Sequence, residues 1–368
     1  MTTLNQWKTW IGKLGYSEKP RAERRIPTGF SARRQNSSPA KPATIRNISS
    51  TGLQIVTEER WPLGELVPLI VQADWVSEDP TEIQIEVQAR VARHSEDGIG
   101  LSFVLPVGLD PNLWEVLLRN AVMLTQPKDI LHTIRMLRTI LFLCRLCHAE
   151  AHEAIMLFGG ELDHARTEKA MWIAHCAQQL LASQPHPERL RARPRLVASI
   201  LKHGSWADDF TAHLWAGLLA TSCTVDGKDE SNTVFADLMV NLTFHQSRIF
   251  VAGCIRALEL KSGAGNPSST RIVLAPEQMI RLTGMYDLSR LATDMANLFS
   301  SELIEKQFDF TSYLPMDKFD ITPTRRGLDM FERCHGARLK ADISLDLSQH
   351  AQPSYYSAED EAPQPRPW

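Results

Sequence analysis

The sequence predicts a multidomain β + α protein in which a small antiparallel β-barrel or sandwich precedes a mostly α-helical region. The chain has 368 residues, which is more than a single domain of ordinary size holds. Between about residues 26 and 105, short segments rich in Val and Ile alternate with turn sequences, as in small all-β domains. After Asp110-Pro111 the apolar residues recur at helical spacing, so the secondary structure changes there.

Residues 1–19 are expected to hold one short amphipathic helix. Its apolar face is formed by Leu4, Trp7, Trp10, Ile11 and Leu14. Up to residue 60 eleven Lys and Arg residues face four Glu residues, which favours an anionic partner for this end of the chain. The whole chain has a formal net charge of -3 and so has no general attraction to nucleic acid.

The β domain is predicted from its strand and turn chemistry. The candidate strands are ATIRNI, GLQIV, LVPLIVQ, EIQIEVQARVAR and IGLSF. HSEDGIGLSF reads as a hairpin, in which Asp97-Gly98 is expected to supply the positive φ values of a tight turn.

The helical region is bounded by Pro and Gly breaks. The predicted helices span 111–124, 127–158, 161–183, 193–203, 207–222, 231–242, 244–258, 275–284 and 287–306. Two strands, FDFT and KFDIT, and a helix from Thr324 then follow, which is the element order of a winged-helix-like unit. The tail at 341–368 is acidic, rich in proline and without apolar periodicity, and is expected to be disordered.

Two short motifs at the start of the β domain have the chemistry of a guanine and phosphate site. Arg21 and Arg25 stand four residues apart, and the guanidinium fork holds guanine O6 and N7, or a phosphate, by two parallel hydrogen bonds. Asn47 offers amide donors and an acceptor, Ser49 offers a hydroxyl, and Gly52 lets a ligand approach the backbone closely.

In their order and spacing these motifs resemble the PilZ domain. The resemblance covers residues 20–108 and includes Gly100 and Phe103 of a closing G-x-x-F. It implies a six-stranded β-barrel that binds bacterial cyclic di-GMP. Arg21 and Arg25 would then hold the guanines and phosphates, Arg24 would add a phosphate contact, and Asn47 (where Asp is commoner in the family), Ser49 and Gly52 would line the barrel face.

The helical part divides into a connector at 109–190 and a domain at 191–340. Residues 193–335 resemble the Abi-alpha family, named for abortive-infection protein alpha, and this resemblance brings no catalytic motif. The sequence contains no Walker loop, no GxSxG elbow and no Rossmann glycine pattern. We therefore expect the protein not to be an enzyme.

Cysteines and histidines near residue 148 form two weaker patterns. CRLCH at 144–148 matches the c-type haem attachment motif, but its apolar helical setting favours buried, reduced thiols. His148 and His152 stand one helical turn apart, with His164 further on, as a metal site would begin. A solvated helix face explains them better, and we assign no metal ligand and no cofactor.

Taken together, the residues and the resemblance to the PilZ domain imply a cytoplasmic bacterial receptor whose barrel binds cyclic di-GMP and acts through a helical output domain. No export signal or membrane-spanning segment is expected, because Arg135, Arg138 and Arg145 interrupt the most apolar run. A ligand-blind scaffold for protein partners is the first alternative, and the resemblance to the Abi-alpha family would place it in phage defence. A DNA-binding regulator that uses the winged-helix-like unit is the second. The protein partner and the oligomeric state stay open.

Overall fold

The fold was analysed in a computed structural model of the chain. The residues it describes are 29–35, 42–73, 84–123, 127–148, 151–159, 161–262, 271–305 and 318–335. The predicted N-terminal helix, the strand FDFT and the predicted disordered tail lie outside these ranges.

Six antiparallel strands close into a barrel, as predicted. They are β1 (Phe30–Arg34), β2 (Ala43–Ser49), β3 (Gly52–Val56), β4 (Leu66–Ala73), β5 (Gln84–Ser95) and β6 (Gly98–Val104). Their order around the barrel is β1-β2-β3-β6-β5-β4, and β4 pairs back with β1. Alternating side chains fill the interior, including Ile45, Ile55, Val67, Ala89 and Ile99, because successive residues of a strand point to opposite faces.

Two irregularities in the strand register shape the outside of the barrel. One lies between Ile45 and Asn47 on β2, and the other between Val91 and Arg93 on β5. Such bulges re-aim the side chains that follow them. They set which polar residues of β2 and β5 come into line with β3 and β6.

The β5–β6 hairpin exists as predicted, but the expected role of Asp97-Gly98 is wrong. Neither residue has a positive φ, and Gly98 is the first residue of β6. Gly98 serves packing instead, because a Cβ there would lie 1.9 Å from the carbonyl oxygen of Ile55. The sequence signal for a tight turn therefore marked a close approach between neighbouring strands.

Eleven helices follow within the described ranges. They are α1 (Pro111–Met123), α2 (Pro127–Cys147), α3 (His152–Ile155), α4 (His164–Ala182), α5 (Pro194–Gly204), α6 (Asp209–Thr221), α7 (Thr233–Val240), α8 (Phe244–Ser262), α9 (Pro276–Thr283), α10 (Leu288–Ser300) and α11 (Arg325–His335). The prediction of one continuous helix over 127–158 is wrong, because α2 ends at Cys147 and His148 takes a left-handed φ of 51°. No helix in the described part of the chain is long and apolar enough to cross a bilayer.

The chain forms two compact units. Of the described residues, the first holds those up to Val240 together with 333–335, and the second holds those between Asn241 and Glu332. In the first unit, Gly217 of α6 passes so close to the backbone of Cys334 that a Cβ would lie 1.6 Å from its carbonyl oxygen. Only glycine permits this contact between α6 and the end of α11.

The second unit contains a short antiparallel pair of strands among its helices. β7 (Val273–Leu274) pairs with β8 (Phe319–Asp320), and Thr324 caps α11 by accepting a hydrogen bond from the Gly327 amide at 2.9 Å. β8 and the capped helix agree with the sequence analysis. The other strand of the expected wing falls in 306–317, outside the described residues, so the winged-helix-like unit stays a prediction.

Candidate ligand-binding face of the barrel

The N-x-S-x-x-G motif forms the β2–β3 hairpin. Ser49 pairs with Gly52 across a two-residue turn. The Ser49 hydroxyl donates to the Gly52 carbonyl at 3.1 Å and lies 3.2 Å from the Thr51 hydroxyl. Serine at this position therefore closes the turn.

Two cross-strand rows continue from this hairpin over the outside of the barrel. The upper row is Ser49, Gly52, Ser102 and Arg90, and the lower row is Asn47, Gln54, Gly100 and Arg93. The residues between the rows, Ile48, Leu53, Leu101 and Val91, are buried. Because strand side chains alternate, the two rows face outward. They form one polar surface across β2, β3, β6 and β5, which we call the hairpin face.

Two glycines permit close packing in the middle of the hairpin face. A Cβ at Gly52 would lie 2.0 Å from the Leu101 carbonyl oxygen, and a Cβ at Gly100 would lie 2.8 Å from Cγ of Arg93. Neither position admits a side chain without movement of its neighbour. The neighbouring strand therefore packs closely at Gly52, and the Arg93 side chain lies over the backbone at Gly100.

Asn47 and Gln54 supply hydrogen-bonding groups beside these glycines. Asn47 Nδ2 donates to Gln54 Oε1 at 3.2 Å, and Gln54 Nε2 donates to Ser95 Oγ at 3.3 Å. The bond to Gln54 engages one amide hydrogen of Asn47. An amide side chain also has a carbonyl acceptor and a second hydrogen, through which Asn47 can bind a ligand.

Exposed arginines border the hairpin face. Arg90 donates to the Gly64 carbonyl at 2.9 Å, while Arg93 lies across Gly100. Arg46, also on β2, forms an exposed ion pair of 2.7 Å with Asp97. The positive charge around the face is suited to an anion such as a phosphate.

The turn of the hairpin is joined to the first helix. Trp114 of α1 donates from Nε1 to the Ser50 carbonyl at 2.9 Å. The Phe103 amide donates to the Thr51 carbonyl at 2.9 Å, and the Phe103 and Trp114 rings meet edge to face, 5.3 Å apart. Phe103 of the G-x-x-F motif thus helps to hold the β2–β3 turn against α1.

The structure brings together only part of the predicted site. Asn47, Ser49 and Gly52 share the hairpin face, whereas Arg21, Arg24 and Arg25 lie outside the described residues. Sequence reasoning missed Gln54, Ser102 and Arg93. The alternation in GLQIV places Gln54 on the same side as Gly52, but the alignment of β6 and β5 with β3 depends on pairing register, which the sequence does not show.

The CRLCH segment is structural in this fold. Cys144 and Cys147 are buried, and burial raises the pKa of Cys144 to about 12. His148 accepts a hydrogen bond from Nε of Arg191. His164 is grouped with His132 and Glu168.

Comparison with known proteins gives one family for the barrel. The PilZ domain model matches residues 19–119, which include all six strands and most of α1. No curated protein and no solved structure matches. The resemblance of the helical region to the Abi-alpha family is not supported by these comparisons and stays a prediction. By the match over residues 19–119 and by its closed six-stranded barrel, the N-terminal part of this chain is similar to the PilZ domain.

Proposed function

We propose that the protein is a receptor for cyclic di-GMP that binds the dinucleotide on the hairpin face. The observation that carries this proposal is the convergence of Asn47, Ser49 and Gly52 on one outward surface of the barrel. In this proposal Arg21, Arg24 and Arg25, which precede β1, close over the ligand. The protein then acts by binding rather than by catalysis, in the bacterial cytoplasm.

Each part of the face has a role in this proposal. A guanine base lies over the backbone at Gly52, which carries no side chain, next to the Arg93 side chain that lies across Gly100. The Asn47 amide oxygen accepts from the N1 or N2 hydrogens of guanine. The arginines bind phosphates and the O6 and N7 edge of guanine by charge-assisted, bidentate hydrogen bonds.

The proposed output runs through the β2–β3 turn. Since the Ser50 carbonyl accepts from Trp114, a ligand that fixes the turn also fixes the start of α1. For this to be a switch, the ligand must bind one arrangement of turn and helix more tightly than another. The N-terminal segment that carries the arginines is the second route, because its closure over the ligand relocates the predicted helix at 1–19.

Calorimetric titration of the full chain with cyclic di-GMP tests the proposal, with GTP as the ligand control. Micromolar or tighter binding is expected. An Arg21→Ala, Arg25→Ala double variant and an Asn47→Ala variant should each weaken it by about tenfold or more, since each removes direct polar contacts. Arg281→Ala, an exposed arginine of α9 in the second unit, is the matched control and should bind normally.

A ligand-blind scaffold is the second candidate. It is favoured by one observation, that Asn47 and Ser49 already have intramolecular hydrogen bonds that satisfy the turn. In that case the folded wild type would show neither heat nor a thermal shift with cyclic di-GMP. The functional surface would then be sought among protein partners of residues 109–340. Gel-shift binding with a steep salt dependence would instead favour the DNA-binding alternative.

A further inference from the structure

Three metal-ligating side chains meet between α2 and α4. His132 comes from α2, while His164 and Glu168 stand one turn apart on α4. One ligand atom from each lies within 4.8 Å of the other two. Nδ1 of His132 makes a hydrogen bond with Oε1 of Glu168, and the two imidazole rings have their centroids 5.0 Å apart.

We propose that His132, His164 and Glu168 bind a divalent transition metal of the zinc class and thereby tie α2 to α4. Two imidazoles and a carboxylate are a usual ligand set for zinc. Magnesium and calcium prefer oxygen ligands throughout and are disfavoured by the two histidines. This site departs from the expectation that the protein holds no metal, and it does not depend on the binding of cyclic di-GMP.

The distances are compatible with an ion after small side-chain rotations. Zinc lies about 2.0–2.2 Å from nitrogen and oxygen ligands, so tetrahedral ligand atoms are roughly 3.4 Å apart. The hydrogen-bonded pair of His132 and Glu168 must separate slightly, and the wider pairs must approach. Both movements are rotations of side chains at the surface of the two helices, since His164 is exposed and the other two are half-buried.

The surroundings orient the carboxylate. The second oxygen of Glu168, Oε2, lies 3.5 Å from Nη1 of Arg135, which leaves Oε1 directed at His132. Supporting contacts of this kind are a regular part of metal sites.

The third feature is access. His164 is exposed, which gives an ion a route from solvent. Glu168 and Arg135 also line a cavity of about 460 Å³, together with Arg138, Lys169 and Trp172. Three protein ligands leave at least one position on a tetrahedral ion for water or another small donor. On the side of the ion next to Glu168, the cavity has room for such a donor.

A metal titration of the chelator-stripped, dialysed full chain at pH 7.5 tests the proposal. Zinc is followed by calorimetry, and cobalt, whose visible absorption is intense only in tetrahedral or five-coordinate sites, is the spectroscopic probe. The variants are His132→Gln, His164→Gln and Glu168→Gln. The matched control is His213→Gln, an exposed histidine of α6 that lines the same cavity but lies outside the cluster.

We expect one zinc per chain at micromolar or tighter affinity, a rise of several degrees in the melting temperature with zinc, and a weakening of about tenfold or more in each cluster variant. His213→Gln should bind like the wild type. X-ray absorption of the wild-type zinc complex should show two imidazole ligands, a readout that does not depend on how the variants fold. The proposal is overturned if no zinc binds below about 100 μM, if the histidine variants bind as well as the wild type, or if the absorption spectrum shows no histidine. His132 and Glu168 would then form an ordinary ion pair.

Discussion

At the residue scale, the glycine of the N-x-S-x-x-G motif has a duty that does not involve a ligand. The sequence suggested that Gly52 admits a ligand close to the backbone. In the fold its missing side chain admits the neighbouring strand, since the Leu101 carbonyl lies where a Cβ would stand. The same atom-level reason applies to Gly98 beside Ile55. Sequence marks such glycines, but only the pairing of β3 with β6 tells what approaches them.

Gly52→Ala should therefore destabilise the barrel in the absence of any ligand. The strand must move away from Leu101, and the expected loss is about 1–3 kcal/mol. Thermal melting followed by tryptophan fluorescence measures it. Gly29→Ala is the control, because a Cβ at Gly29 meets nothing within 4 Å, and it should melt close to the wild type. Equal melting of the two variants would show that β6 yields without cost.

Three buried thiols should resist modification. Burial raises the pKa of Cys144, Cys223 and Cys334 to about 12, and the thiolate is the reactive form. At pH 8 iodoacetamide should label the half-buried Cys176 well before these three, as read by peptide mass spectrometry. Urea-unfolded protein, which should label at all of them, is the control. Rapid labelling of Cys144 in the native protein would contradict its placement.

The same thiols make stability depend on alkaline pH. Unfolded thiols ionise near 9.0, whereas the folded ones require about pH 12. Their contribution to stability is complete below pH 9 and is lost as the pH rises from 9 towards 12, because only the unfolded state releases the protons. The urea midpoint of unfolding should be lower at pH 10 than at pH 8. A Cys223→Ala, Cys334→Ala variant should show a smaller difference between the two midpoints.

At the element scale, the sequence predicted the strands and most helices, because apolar periodicity of about 2 or 3.6 residues records which face is buried. It failed where neighbours decide the outcome. α2 ends at Cys147, and no local pattern predicts the left-handed φ of His148 that follows it. The meeting of His132 with His164 and Glu168 needs the packing of α2 on α4, and Gln54, Ser102 and Arg93 need the strand register. Long-range pairing of this kind is absent from a single sequence.

An indole hydrogen bond and a ring contact help to attach α1 to the barrel. Trp114→Phe removes the donor to the Ser50 carbonyl and keeps an aromatic ring beside Phe103. A loss of about 1–2 kcal/mol is expected, because the half-buried Ser50 carbonyl loses that partner. Thermal melting checks it. Trp206→Phe, at an indole that is 72 % exposed, controls for the loss of a tryptophan and should cost little.

At the scale of the whole molecule, the question is whether occupation of the hairpin face reaches the helices. The barrel and α1 to α7 belong to one compact unit. Within it, Trp114 of α1 donates a hydrogen bond directly to the β2–β3 turn. A ligand that orders the turn should therefore also order α1 through this hydrogen bond. In a barrel that only binds the ligand, ordering would stop at the barrel. How far the ordering reaches therefore distinguishes a receptor with an output domain from a protein that only binds the ligand.

Hydrogen exchange with and without cyclic di-GMP measures that extent. In the wild type, saturating ligand should slow amide exchange in the β2–β3 hairpin and also in α1 (Pro111–Met123), because both are ordered by the same contact. In Trp114→Phe the ligand should still protect the hairpin, whereas the protection of α1 should fall, since the hydrogen bond that transmits it is gone. GTP, expected not to bind, should protect neither.

Protection confined to the barrel in the wild type would contradict this route and point to the arginine segment before β1 instead. Equal protection of α1 in the wild type and in Trp114→Phe would mean that the contact with Phe103 alone suffices.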